Sequence, residues 1–275
     1  MRLVLGASQS VADRDAKSLT HQSFGSMFAA VDAPLSAAVI TGLKDGERKG
    51  PLILRLAGAG SRAVSVTAHR MAGNGGAISV LMARASWPQE EQAANGLLSP
   101  AGFQSMASRL IDNAARSGEA LELAFVEFAG LGQACRAMDR QAADALISAV
   151  AGAVRSESKG GFTAAKLGDD RFAMLRQAGE TPDVLAAKLT QITASLDAPG
   201  ASAQTLAVDP AMGLQRIGKA IRFALEDFER TGLQAEPTAS LADALKRAVR
   251  TTLVRAGEVG QTILERKFEL AYQPV

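Results

Sequence analysis

Between two short apolar runs, residues 162–166 and 172–176, stands the polar segment Gly168-Asp169-Asp170-Arg171. It sets two carboxylates and a guanidinium on a hairpin turn. Carboxylates are the hard oxygen donors that Mg²⁺ prefers. An arginine stays protonated and serves neither as a base nor as a metal ligand. Two further acids stand upstream. Glu127 ends an apolar, strand-like run, and Asp144 lies inside a helical pattern. Read alone, each is either a site carboxylate or an ordinary solvated acid, and the turn is either a site or a polar hairpin. Other chemistry is sparse. Cys135 is the only cysteine, which excludes an intramolecular disulfide and a Cys-based zinc site. Its residue type suits a small, partly buried apolar position. His21 and His69 stand alone, and lone histidines are more often structural than cofactor ligands. The run Gly73-Asn74-Gly75-Gly76 lacks the Lys-Ser/Thr of a phosphate loop and reads as a turn.

The elements that must position these groups follow from periodicity. Ser99 and Pro100 form an N-cap and first-turn proline for a helix over 101–116. Residues 121–128 read as a mostly apolar strand, 139–154 as a helix rich in Ala, Ile and Val, and 181–196 as a further helix. A strand is expected over 202–208 and a strong helix over 214–230, closed by Gly232. A long helical pattern runs from 241 towards 266, with Gly257 and Gly260 as points of interruption. Strands and helices alternate through this stretch, so one sheet with helices against it is expected. Ahead of it, 18–31 reads as one or two short helices and 52–56 as a strand. Residues 63–69 alternate with period two, and 77–82 completes an antiparallel hairpin. The polar segment 86–92 is a linker. The chain thus divides into 1–90, 97–235 and 236–275: an α+β multidomain protein without internal repeats.

Composition bounds the class. The chain has 275 residues, suggesting two domains or two plus a fragment. Hydrophobic residues make up 47% and aromatics 4%, so the cores must be built from Ala, Leu, Val and Ile. A net charge of +2, with no basic block interleaved with aromatics, argues against nucleic acid. No apolar run reaches the roughly 18 residues of a membrane-spanning helix. The opening Met1-Arg2-Leu3-Val4-Leu5-Gly6 is too short an apolar stretch for a signal peptide. A cytoplasmic location is expected.

The segment Lys166-Leu167-Gly168-Asp169-Asp170-Arg171-Phe172 resembles the signature hairpin of GGDEF domains, the diguanylate cyclase family, which joins two GTP molecules into cyclic di-GMP across a dimer. The family has an upstream strand ending in a metal-binding Asp, then a Phe, then an Asn that reads guanine, then a helix carrying a guanine-reading Asp. Setting Asp144 on that last residue places Glu127 at the metal Asp, Leu131 at the Phe and Cys135 at the Asn, without gaps. The resemblance covers about residues 97–232. It implies a nucleotide-cyclase-like α/β domain with a central sheet flanked by helices. A second resemblance lies at 268–275, where Tyr272-Gln273-Pro274-Val275 is similar to the opening strand of an EAL domain, the cyclic di-GMP phosphodiesterase module. The N-terminal region, by strand texture and position, is similar to a PAS-type sensor with an antiparallel sheet, and the 241–266 helix then reads as a linker.

The resemblance assigns metal to Glu127 and Asp170, and nucleotide contacts to Cys135, Asp144, Gly168 and Asp169. It also shows departures. Arg171 stands where active relatives carry a catalytic Glu, so no catalytic residue is assigned. Asp169 replaces a glycine that lets the backbone approach substrate, and a carboxylate there repels phosphate. Cys135 cannot supply the paired donor and acceptor of an amide. The product-inhibition motif Arg-x-x-Asp is replaced by Lys159-Gly160-Gly161-Phe162. The expectation is a regulatory protein of cyclic di-GMP signalling whose GGDEF domain makes no product. That domain would serve as relay, dimerisation element or allosteric GTP module, with Mg²⁺ and GTP binding weak and neither required. GTP or cyclic di-GMP is the implied ligand and a homodimer the implied assembly. Two alternatives stay open: a fragment of an active phosphodiesterase whose EAL domain follows Val275, or a non-catalytic receptor or interaction protein.

Overall fold

The computed structural model describes residues 3–5, 23–58, 62–73, 77–87, 93, 95–196, 198–233 and 238–264. The segments 74–76 and 268–275, and His21, lie outside the described residues.

Among the described residues, the N-terminal region is a four-stranded sheet with one α-helix laid on it. The strands are β1 (Leu3–Leu5), β2 (Arg48–Arg55), β3 (Ala63–Arg70) and β4 (Ile78–Arg84), in the order β1-β4-β3-β2. Alternation in β3 sends Val64, Val66 and Ala68 inward, where they meet Leu52, Leu54, Ile78 and Val80. Helix α1 (Ala33–Gly42) covers this face with Leu35 and Val39. The β3–β4 hairpin is antiparallel as expected. The sheet as a whole is not: β1 pairs with β4 in parallel, Leu3 opposite Ile78 and Leu5 opposite Val80. A parallel pair needs a long crossover, and the long connection between β1 and β4 supplies it. Of the one or two short helices expected over 18–31, the part at 18–22 lies outside the described residues, and over 23–31 the expectation is met only by a short turn. Phe24–Met27 is a single 3-10 turn, and the helix proper begins at Ala33, with Pro34 in its first turn.

The second region is built on an antiparallel sheet in the order β6-β7-β5-β8: β5 (Leu121–Phe128), β6 (Ala164–Lys166), β7 (Arg171–Gln177) and β8 (Ala201–Ala207). Helices α2 (Pro100–Ser117) and α6 (Leu214–Thr231) cover one face. Helices α4 (Arg140–Glu157) and α5 (Pro182–Thr193) cover the other, and the short α3 (Leu131–Ala137) follows β5. Two covered faces explain why β5 is almost wholly apolar. Leu121, Leu123 and Phe125 point to α2 and α6, while Ala124, Val126 and Phe128 point to α4 and α5. The helix starts obey capping chemistry. Ser99 Oγ accepts from Gly102 N, Asp139 Oδ1 from Ala142 N, and Thr181 Oγ1 from Val184 N. Helix α7 (Leu241–Leu264) is continuous through Gly257 and Gly260, contrary to the interruption expected there. A single glycine lowers helix propensity by only about 1 kcal/mol, which neighbouring turns offset. Leu241 is buried in the same core as α6.

The two regions are packed together, α1 against α4. Gly152 makes the close approach: a Cβ there would lie 2.6 Å from the backbone carbon of Pro34. One turn on, Arg155 is fully buried. It donates to Gly161 O (2.9 Å), Val31 O (2.9 Å) and Asp32 Oδ1 (2.7 Å). Asp32 Oδ2 accepts in turn from the backbone N–H and Nε of Arg55, each at 2.9 Å. The chain entering α2 passes directly over this guanidinium at Gly96 (φ +79°), where a Cβ would lie 2.3 Å from Nη1. Burial opposes ionisation of Asp32, but its hydrogen bonds from Arg55 and the charge and hydrogen bond of Arg155 outweigh it, and its pKa lies below the ordinary 3.8. Farther along the same seam, Lys49 pairs with Glu157 and Lys188 with both Glu47 and Glu180.

Candidate functional site

The signature residues occupy the turn between β6 and β7 and the adjoining end of β5. Leu167 N and Gly168 N both donate to Arg171 O, at 2.9 and 3.4 Å, which closes the turn. Phe128 N donates to Asp170 O (2.9 Å), which fastens it to the central strand. The antiparallel register sets Glu127 directly opposite Arg171, on the same face of the sheet.

That pairing decides the electrostatics of the corner. Arg171 Nε lies 3.3 Å from Glu127 Oε1, and the two side chains are 25% and 21% exposed. The guanidinium reaches farther: Nη1 donates to the carbonyl oxygens of Phe228 and Glu229, and its carbon lies 5.9 Å from the Phe228 ring centre. Those carbonyls belong to the last turn of α6, the negative end of the helix dipole, where a cation is stabilising. Glu127 Oε2 accepts from Leu233 N (3.4 Å). Gly232 closes α6 at φ +71°. A Cβ there would lie 2.9 Å from Arg171 Nη2 and 3.2 Å from Glu127 Oε2, so a side chain would push on the ion pair, and the positive φ favours glycine. One arginine thus joins the hairpin, the end of the central strand and the end of α6. The cavity beside Phe228 and Gly232 measures about 30 Å³.

The other residues singled out from the sequence take no part in this ion pair. Asp169 pairs with Arg136 of α3 at 3.1 Å, in the open, and a Cβ on Gly132 would lie 2.7 Å from the Asp169 Cβ. Cys135, also on α3, is partly buried and packs towards the core of Leu131, Val126 and Phe172. Asp144 lies on the outer face of α4, 72% exposed, with Arg140 one turn before it at 3.9 Å. Gly168 is half-buried in the turn. Of the carboxylates expected to hold metal, Glu127 carries a guanidinium instead, and Asp170 contributes its backbone oxygen to the strand. Among the described residues, no group of three or more His, Cys, Asp or Glu side chains is gathered as a metal site. The fixed positive charge of Arg171 beside Glu127 opposes a divalent cation at that carboxylate. Sequence reasoning missed Arg136, because α3 is too short and glycine-containing to announce itself. It also missed Arg155, whose partner Asp32 lies 123 residues upstream.

No protein-family model matches the chain, and no curated protein matches it. Among solved structures it is similar to the GGDEF domain of DgcB from Caulobacter crescentus in complex with c-di-GMP, at 19% identity, over 54% of this chain and 95% of that one, with a TM-score of 0.37. It is also similar to a sensory box/GGDEF family protein from Caulobacter crescentus, at 24% identity, over 48% of this chain and 94% of that one, with a TM-score of 0.32.

Proposed function

We propose that residues 97–235 form a GGDEF-like domain of cyclic di-GMP signalling that makes no cyclic di-GMP and works as a relay between the N-terminal sheet and helix α7. The observation that carries this reading is the Arg171–Glu127 pair. Phosphoryl chemistry on GTP needs metal ions to neutralise the developing charge. Here the candidate metal carboxylate is held by a guanidinium that cannot release a proton or coordinate a cation. The same guanidinium grips the end of α6 and so ties the hairpin to the helix against which α7 packs. At the opposite side of the sheet, Arg155 ties the domain to the N-terminal sheet, the PAS-like input region in this reading. Incubation of the purified chain with GTP and Mg²⁺, followed by chromatography of the nucleotides, is expected to return GTP unchanged. Appearance of cyclic di-GMP sinks the proposal.

A second reading, allosteric GTP binding without turnover, is favoured by one observation. The Asp144 carboxylate remains open to solvent, with only a distant ion pair to Arg140. Titration of GTP into the chain by calorimetry, with and without Mg²⁺, separates the two readings. Saturable heat that is lost in Asp144→Ala supports the GTP module. Its absence leaves the relay. A homodimer belongs to this proposal as well, and sedimentation of the chain checks it.

A further inference from the structure

Helix α7 commits only one side to the second domain. Leu241 and Ala244 enter the core under α6. The adjoining side opens on an apolar groove of about 520 Å³ that begins near Met212 and follows α7 to Val254. Its floor is Leu245, Val249 and Leu253, spaced four residues apart on one face of the helix. Val249 is 47% exposed and Leu253 68%. The charged residues on the groove are Arg216, Arg250 and Lys246, the last paired with Asp243 beside it at 3.1 Å, and among the described residues no acidic side chain lines it. From Ala242 to Val254 the face runs about 18 Å, some three helical turns at 1.5 Å per residue.

An apolar strip of helical length with a rim of one sign is the complement of an amphipathic helix whose flanks carry the other sign. A second copy of the chain is a poor occupant. Face-to-face packing would set Arg216 and Arg250 against the same two residues, and like charges across an interface oppose association. We infer that this groove is a docking site for an acidic amphipathic helix of a partner protein.

The probe is a synthetic peptide of about five helical turns, with Leu at positions i, i+4 and i+7 and Glu on both flanks, labelled with fluorescein and titrated with the intact chain by anisotropy. Saturable binding is expected, weakening as salt rises. It should fall about tenfold or more in Leu253→Ser and in Arg216→Glu/Arg250→Glu. Leu253 and its neighbours are exposed, so circular dichroism of these variants should match the parent. A peptide with Lys in place of every Glu should not bind. The inference is overturned by absence of binding to the acidic peptide, or by equal binding of the Lys peptide. It is equally overturned if sedimentation shows the chain pairing with itself through this face in a manner abolished by Leu253→Ser.

Discussion

Two arginines organise the second domain, and each does so by finding acceptors far away in sequence. Arg171 is partly exposed, so its ion pair with Glu127 alone is a modest contribution. The carbonyl oxygens of Phe228 and Glu229 add a charge–dipole interaction at the end of α6, worth up to about 2 kcal/mol in partly buried geometry. Arg171→Ala is therefore expected to lower unfolding free energy by about 1–2 kcal/mol in urea titration. Arg171→Glu should cost more, because it sets two carboxylates opposite each other on β5 and β7. Arg155 and Asp32 belong to a different regime, since both side chains are sealed from solvent. Such a pair adds little net stability when intact, but removal of one member strands the other. Asp32→Ala is expected to cost about 3–5 kcal/mol by chemical denaturation, while replacing both residues with apolar ones recovers much of that. The pH dependence follows from the sign of the shift. Asp32 titrates below its ordinary value in the folded chain, so its stabilisation is complete above pH 3.8 and is lost as pH falls through the folded pKa. Asp32→Asn should flatten that acid limb of the stability curve. Glu122 has the opposite sign. Burial, opposed by Arg176 and reinforced by Glu180, raises its pKa above 4.5, so its contribution is present below that pH and fades as pH rises.

At the scale of elements, what could be read in advance was whatever rests on local chemistry. The strand Leu121–Phe128 and the starts of α2, α4 and α5 were legible because caps, first-turn prolines and a two-sided apolar run are written in consecutive residues. Helix α1 was not legible. Its sequence Ala33–Gly42 has no amphipathic period, because it is squeezed between two cores, with Leu35 and Val39 facing one and Ala38 the other. Within the site, the turn and its flanking strands were legible. The alliance of Arg171 with Glu127 and the end of α6 was not, since its members come from three separate stretches of chain. The α1–α4 contact yields its own prediction. Gly152→Ala gains about 1 kcal/mol of helix propensity. It also drives a methyl group into Pro34, where the available distance is 2.6 Å to backbone. Overpacking against rigid backbone costs about 1–3 kcal/mol, so the net effect in thermal melting should be destabilising.

For the whole molecule, the seam between the two regions is held by buried charge as well as apolar packing, from Arg155 and Asp32 at its centre to Lys188 and Glu47 at its margin. Unfolding of the parent chain is expected as one transition. Asp32→Ala should split it in two and speed cleavage within 86–92 under limited proteolysis. Among the described residues no helix is long and apolar enough to cross a membrane. The cation at the signature corner carries a last consequence. A metal ion held by carboxylates exchanges with the surrounding medium, and its occupancy tracks the free concentration of that ion. The guanidinium of Arg171 is bonded to the chain and has no dissociation equilibrium of its own. On that reading the hairpin's grip on α6 needs no divalent ion, and melting curves recorded in EDTA and in excess magnesium at matched ionic strength should superimpose.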